Sequence, residues 1–256
     1  MSFSITRTFA TAALLIGLSG AGRLALAEET LPKADVIIEK YIEVTGGKAA
    51  YGKVHNEIST GTLELVGKGI KGTLTIYRAE PDKSYTLTEI EGVGKVEEGS
   101  DGQVAWTRSA MTGPRLKEGE EKATALRSGR FNSELHWRDH FKKVETAGVE
   151  DVNGQPCYKV VMTPAEGSPV TRYYDKKSNM LVKTAMTIKI PMGEFPVESL
   201  VSDYRKEGEI LMPHRLNQKM AGNEILITIE GVKYNAEIPK GTFDLPEDVK
   251  PLVNKK

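Results

Sequence analysis

The chain has 256 residues, 39% of them apolar, and its 35 Lys and Arg balance its 35 Asp and Glu. That length holds one large β domain or two small ones, and the apolar share suffices for a sizeable core. A formal charge of zero supplies no field for nucleic acid, and a single cysteine, Cys157, excludes an internal disulfide framework.

The first residues point to export. Arg7, an apolar run over residues 10–20 and Ala25-Leu26-Ala27 give a charged start, an apolar centre and a small-x-small cleavage site. A membrane span needs about 20 apolar residues, and Arg23 interrupts this run. Residues 1–27 therefore read as a secretory signal cut before Glu28. Its removal takes away Arg7 and Arg23 and no acid, so the 35 basic residues fall to 33 against 35 acidic. No cysteine near the cut is available for acylation, so the expectation is a soluble periplasmic protein.

Thr30-Leu31-Pro32 is expected to open a helix, with Thr30 as cap. Ala34, Ile37, Ile38, Tyr41, Ile42 and Thr45 recur at helical spacing, Gly46-Gly47 ends the run, and a short turn over 48–53 leads onward. From Ile58 the period becomes two, with Leu63 and Leu65, Leu74 and Ile76, then Tyr85 and Leu87 at alternate positions. Pro81-Asp82 and Ser100-Asp101-Gly102 supply turns, and the next strand carries Trp106. Residues 118–143 break this grammar. Ala123 and Leu126 share one helical face, and Leu135, Trp137 and Phe141 a second, with Asn132 or Ser133 as cap.

The stretch from 149 to 190 is a meander of three β-rich runs. Asn153-Gly154, residues 165–169 and residues 175–179 are short turn segments, and strands joined that tightly pair antiparallel. Strands over 197–204, 210–220 and 224–234 follow, with Ile225, Ile227 and Ile229 on one face and Pro213 marking an edge or bulge. No repeat or linker divides residues 28–256, which read as a single domain.

Seven stretches taken in order resemble one family: Thr45-Gly-Gly-Lys-Ala-Ala, Gly92-Val-Gly-Lys-Val, Ser100-Asp-Gly-Gln-Val-Ala-Trp, Gly154-Gln-Pro-Cys-Tyr-Lys-Val, Thr171-Arg-Tyr-Tyr-Asp, Ser202-Asp-Tyr-Arg and Phe243-Asp-Leu-Pro. They are similar to the bacterial outer-membrane lipoprotein-sorting, LolA-like proteins, in a poorly characterised branch. The resemblance implies a mainly β fold, an unclosed antiparallel β-barrel with an N-terminal helix and a helical lid insertion. It also implies an apolar cavity, in proteins that carry acyl chains or lipid-linked cargo across the periplasm.

A curved sheet of this size needs its inner face filled by side chains or a ligand. The candidates for that face are Leu63, Leu65, Leu74, Ile76, Tyr85, Leu87, Trp106, Ile188 and Ile227; an ordinary dry core is the competing reading for each. Phe131, Trp137 and Phe141 are the candidate lid. Lys68, Lys71, Arg108, Arg115 and Lys117 could rim the mouth against anionic headgroups or an acidic partner, or form a solvated face.

Catalytic signals are sparse. His136-Trp-Arg-Asp-His140 places two histidines four apart, a spacing that can hold zinc on a helix, but Trp137 stands where a metalloprotease carries glutamate. No nucleophile elbow or phosphate loop occurs; Gly67-Lys-Gly-Ile-Lys-Gly reads as a hairpin turn, and Cys157 as a small buried hydrophobe. The expectation is a non-catalytic, cofactor-free monomer that binds lipid or an acylated protein, with peripheral membrane contact and an envelope protein as a further partner. Two rivals stand beside it: an interaction or sensor module with a collapsed cavity, and a metal-dependent hydrolase using His136 and His140.

Overall fold

The structure is a computed structural model that describes residues 30–253; the expected signal segment lies outside the described residues. From Leu31 onward the chain clusters as one compact unit. Two helices come first, α1 (Ala34–Val44) and α2 (Gly47–Tyr51). Six strands follow: β1 (Asn56–Leu65), β2 (Ile70–Ala79), β3 (Lys83–Ile90), β4 (Gly94–Ser100), β5 (Ala105–Ser109) and β6 (Gly113–Leu116). The helical excursion is α3 (Gly119–Gly129) and the short α4 (Trp137–His140). Seven more strands complete the sheet: β7 (Phe141–Val152), β8 (Gln155–Pro164), β9 (Val170–Asp175), β10 (Leu181–Ile190), β11 (Gly193–Glu207), β12 (Ile210–Met220) and β13 (Asn223–Tyr234). A turn-rich tail ends in α5 (Lys250–Val253).

All thirteen strands form one sheet, in the order β6-β5-β4-β3-β2-β1-β13-β12-β11-β10-β9-β8-β7, and every neighbouring pair is antiparallel. The first and last strands meet in mid-sheet, at a bulge where Gly61 fits because a Cβ there would lie 2.2 Å from the Thr228 carbonyl oxygen. The free edges are β6 and β7, which succeed each other in the chain through α3 and α4. The expected Asn153-Gly154 turn is a two-residue hairpin with φ of 54° and 83°. Pro213 lies where β12 is paired on one side only: it faces Tyr204 of β11, whereas pairing with β13 starts at Arg215.

Cross-strand partners share a face, so the register sorts the side chains. Leu63, Leu65, Leu74, Ile76 and Ile227 lie on one face with Val197, Met186 and Val160. The same face meets α1, which buries Ala34, Ile37, Ile38, Tyr41 and Ile42, each at 5% exposure or less, against Val160, Met162, Val170, Tyr174 and Leu181. Tyr41 and Tyr174 rings sit 5.5 Å apart. Burying four large side chains at roughly 1.5–3 kcal/mol each makes this half of the inner face the anchor of the fold.

Two expected caps are placed differently. The helix begins at Ala34 with extended Lys33 as cap, because Pro32 precedes the first turn and Thr30 is exposed and out of reach. Asn132 does not cap α4; its side-chain amide donates to the carbonyls of Tyr51 and Val54, tying the excursion to α2.

The segment between the edge strands reports how far the sheet curls. Glu121 of α3 accepts from both terminal nitrogens of Arg115 on β6 at 2.7 Å. Its neighbour Glu120 accepts from Lys189 on β10 at 2.9 Å. Between β6 and β10 stand β5, β4, β3, β2, β1, β13, β12 and β11. Laid flat at about 4.8 Å per strand, the two would be roughly 43 Å apart. Adjacent carboxylates cannot span that distance, so the sheet is bent until its wings face each other beneath α3. At the far end of the helix a Cβ on Gly129 would come 2.6 Å from Ser84 Oγ on β3, so this end of α3 lies directly on the inner face.

Candidate functional site

A cavity of about 500 Å³ lies between α3 and the inner face, within the range of about 300–1,000 Å³ typical of small-molecule sites. One wall is apolar: Ile188 and Ile190 of β10, Phe195 of β11 and Met220 of β12. Ile188 and Phe195 are direct cross-strand partners. The opposite wall carries Arg78, Ser84, Thr86, Glu98, Arg115 and Lys117, and α3 contributes Glu121, Thr124, Ala125 and Ser128 as a roof of small and polar side chains.

The charges on the polar wall are compensated. Lys117 Nζ donates to Glu98 at 2.7 Å, Arg115 is held in a fork by Glu121, and Arg78 stands 3.7 Å from Glu57. The hydrogen bonds that Arg115 donates to Glu121 raise the guanidinium's pKa, against the opposing effect of burial. The apolar wall is not packed out. Ile188, Ile190, Phe195 and Met220 remain partly exposed, whereas Val160, Met162 and Tyr174, on the same face under α1, are 0% exposed. The inner face thus has a close-packed half beneath α1 and an amphipathic, cavity-bearing half beneath α3.

Of the residues expected to line this space, Ile188 borders the cavity directly. Leu63, Leu65, Leu74, Ile76 and Ile227 share its face but stand on the central strands outside the cavity lining; Leu63 and Leu74 are buried, the other three partly exposed. Tyr85, Leu87 and Trp106 project from the opposite face, because Ser84 and Ala105, their chain neighbours, take the inner positions opposite Ser100. There Tyr85 stacks between Tyr77 and Trp106 at 6.0 and 6.2 Å, and the tail over 241–250 adjoins the cluster. Trp106 lies flat across Gly99, where a Cβ would sit 2.5 Å from the indole. Phe131, Trp137 and Phe141 are at most 9% exposed and belong to the α1 core, so the excursion's aromatic side chains anchor it while α3 roofs the cavity.

Sequence reasoning missed Ile190, Phe195 and Met220, although Ile188 and Ile190 alternate and Phe195 follows across a tight turn. It also looked for a lid made of large aromatic side chains, whereas the roof is Thr124, Ala125 and Ser128. A larger groove of about 670 Å³ lies mainly over the outer surface, where Leu226 stands among Thr62, Glu64, Lys71, Thr73, Glu89 and Lys95; Leu63, one of the expected lining residues, and Ile90 also border it. The rim candidates scatter: Arg115 and Lys117 line the cavity, Lys68 lies in the β1–β2 turn, Lys71 borders the outer groove, and Arg108 is bonded to Glu97 and Asp248.

The remaining chemistry is quickly placed. His136 precedes α4 as its cap and lies 3.5 Å from Asp139, while His140 Nε2 is buried without a partner. Burial, together with Arg130 and Arg127, pushes the His140 pKa down. Among the described residues no three His, Cys, Asp or Glu side chains converge to hold a metal ion. Cys157 is fully buried, and burial with Asp175 and Asp151 nearby pushes its thiol up to about 11, far from a reactive thiolate.

No protein-family model and no curated protein matches the sequence. Solved structures do match in fold. A LolA superfamily protein from Nitrosomonas europaea aligns at 12% identity with a TM-score of 0.57, over 84% of this chain and 99% of its own. A DUF1329 family protein from Desulfovibrio piger aligns at 14% and 0.56, over 82% and 97%. A putative outer membrane lipoprotein-sorting protein domain from Vibrio parahaemolyticus aligns at 14% and 0.52, over 81% and 97%. The architecture, an unclosed antiparallel barrel with few helices, is therefore LolA-like; at these identities the likeness concerns fold.

Proposed function

We propose that this protein is a periplasmic carrier that holds a lipid or the acyl group of a lipoprotein in the cavity beneath α3, without catalysis. The observation that carries the reading is the incompletely packed apolar wall: Ile188, Ile190, Phe195 and Met220 stay partly exposed inside a folded protein. Four such side chains gathered on one wall of a cavity, facing a few polar groups, are the usual lining of a small-molecule site. The facing wall of compensated charges suits an amphiphile, whose chain lies on β10–β12 and whose polar end meets Arg115, Lys117 and Glu98. Each methylene taken from water contributes roughly 0.8 kcal/mol, so a chain filling the site would bind without any strong polar contact.

The LolA-like fold supports the same reading, since the Vibrio parahaemolyticus neighbour is described as a putative lipoprotein-sorting domain. In this proposal residues 1–27 are the export signal and residues 28–256 one lipid-binding domain. The open volume favours a carrier over a protein-interaction module with a collapsed cavity. Native mass spectrometry of protein purified from the envelope, with extraction of bound lipid, tests it. A co-purifying lipid, or saturable uptake of a fluorescent fatty acid, is expected. A preparation that contains no lipid and takes up no fatty acid rejects the carrier.

A further inference from the structure

In an all-antiparallel sheet successive tight turns alternate between two ends. The two ends of this sheet differ. Turns 80–82, 101–104, 153–154, 176–180 and 208–209 project from one end, and none of them carries an exposed large hydrophobic side chain. Turns 66–69, 91–93, 110–112, 165–169, 191–192 and 221–222 project from the other. Four of these six display one: Val66 at 44% exposure, Val93 at 38%, Met111 at 79% and Met192 at 77%. Hairpin tips ordinarily take Gly, Asn, Asp, Ser or Pro, so apolar side chains at four tips of one end have no local structural cause.

We propose that this end of the sheet docks on a neutral lipid bilayer, with the hairpin tips inserting Val66, Val93, Met111 and Met192 into its interface. Spacing and charge favour a bilayer over a protein. Successive tips on β1–β6 are two strands apart, roughly 10 Å, so their side chains form separate points and not the packed central cluster of a protein interface. Within the six turns Lys68 is the one base against two acids, Glu91 and Glu166, and Lys68 already donates to Asn223. No basic patch is therefore present to recruit anionic lipid, which leaves apolar insertion as the driving force. The end is also continuous with the cavity. Ile190 and Phe195 of the apolar wall flank the Pro191-Met192 tip, so insertion would bring that wall beside the lipid.

The test is flotation of the purified protein with phosphatidylcholine vesicles, with all variants made in the same chain so that the contribution of the N-terminal segment cancels. The protein is expected to float, with its partition changing less than about twofold between low and high salt. Met111→Asp combined with Met192→Asp should lower partition at least about tenfold without moving the thermal midpoint, and Val149→Asp, on the β7 edge, should leave it unchanged. Failure of the protein to float, equal flotation of the double variant, release by salt, or an equal loss with Val149→Asp would each overturn the proposal. Fatty-acid uptake by the double variant is measured alongside; retained uptake with lost flotation separates docking from cargo binding.

Discussion

Replacing Ile188 with alanine separates the two halves of the inner face. The full transfer value of the three deleted carbons is about 2.4 kcal/mol at roughly 0.8 kcal/mol each. Because Ile188 is only partly exposed in the cavity, most of that stabilisation is realised on folding, and about a quarter of it, about 0.6 kcal/mol, remains for a bound chain. Ile188→Ala should therefore weaken fatty-acid binding about threefold. Ile188→Asp, which sets an unpaired carboxylate under the chain, should weaken it more than about tenfold. The assay is a fluorescent fatty-acid titration beside urea unfolding. The matched control is Leu87→Ala, because Leu87 is also partly exposed but projects from the outer face; it should cost stability and leave affinity unchanged. If Leu87→Ala weakens binding as much as Ile188→Ala, or if Ile188→Asp binds normally, the cavity beneath α3 is not where the chain sits.

Gly99→Ala should destabilise by about 1–3 kcal/mol in urea, because its Cβ would enter the Trp106 ring that lies across it. Ile38→Ala, fully buried under α1, should cost about 2–5 kcal/mol and lower the thermal midpoint. Glu97 accepts from Arg108 at 2.6 and 2.9 Å and from Tyr85 at 2.7 Å; the Arg108 bonds, helped by Tyr85 and opposed by burial, hold its pKa below the usual 4.5. Its contribution is thus fully present above pH 4.5 and lost as pH falls through the lowered value. Glu97→Gln should accordingly flatten the acid limb of a stability-versus-pH curve measured by chemical unfolding.

Strand grammar was legible because it is local. Alternation at Leu63/Leu65 and Leu74/Ile76, and turn chemistry at Asn153-Gly154, fix strands and hairpins without reference to the rest of the chain. Which face an alternating pair occupies is a register property. Tyr85 and Leu87 alternate as cleanly as Leu74 and Ile76, yet pairing of Ser84 with Arg78 and Ser100 turns them outward. Their apolarity serves the stacked aromatic cluster with Trp106 beside the tail, not a cavity. The roof was hidden for a similar reason. Thr124, Ala125 and Ser128 are unremarkable in sequence, and the long-range bond of Glu120 to Lys189, with the nearby fork of Glu121 and Arg115, puts them over the cavity. The aromatic residues Phe131, Trp137 and Phe141, expected as the lid, pack into the α1 core, a partner that their spacing alone does not name.

The break in the ring falls between β6 and β7, strands that follow one another along the chain, and a helical strap crosses it. The girth of the molecule is therefore governed by that strap and by two carboxylate clasps at its start. Sliding α3 outward would widen the interior while every ladder in the sheet stays intact, so under the carrier proposal one architecture would admit guests of different bulk by adjusting a buckle and leaving the weave alone.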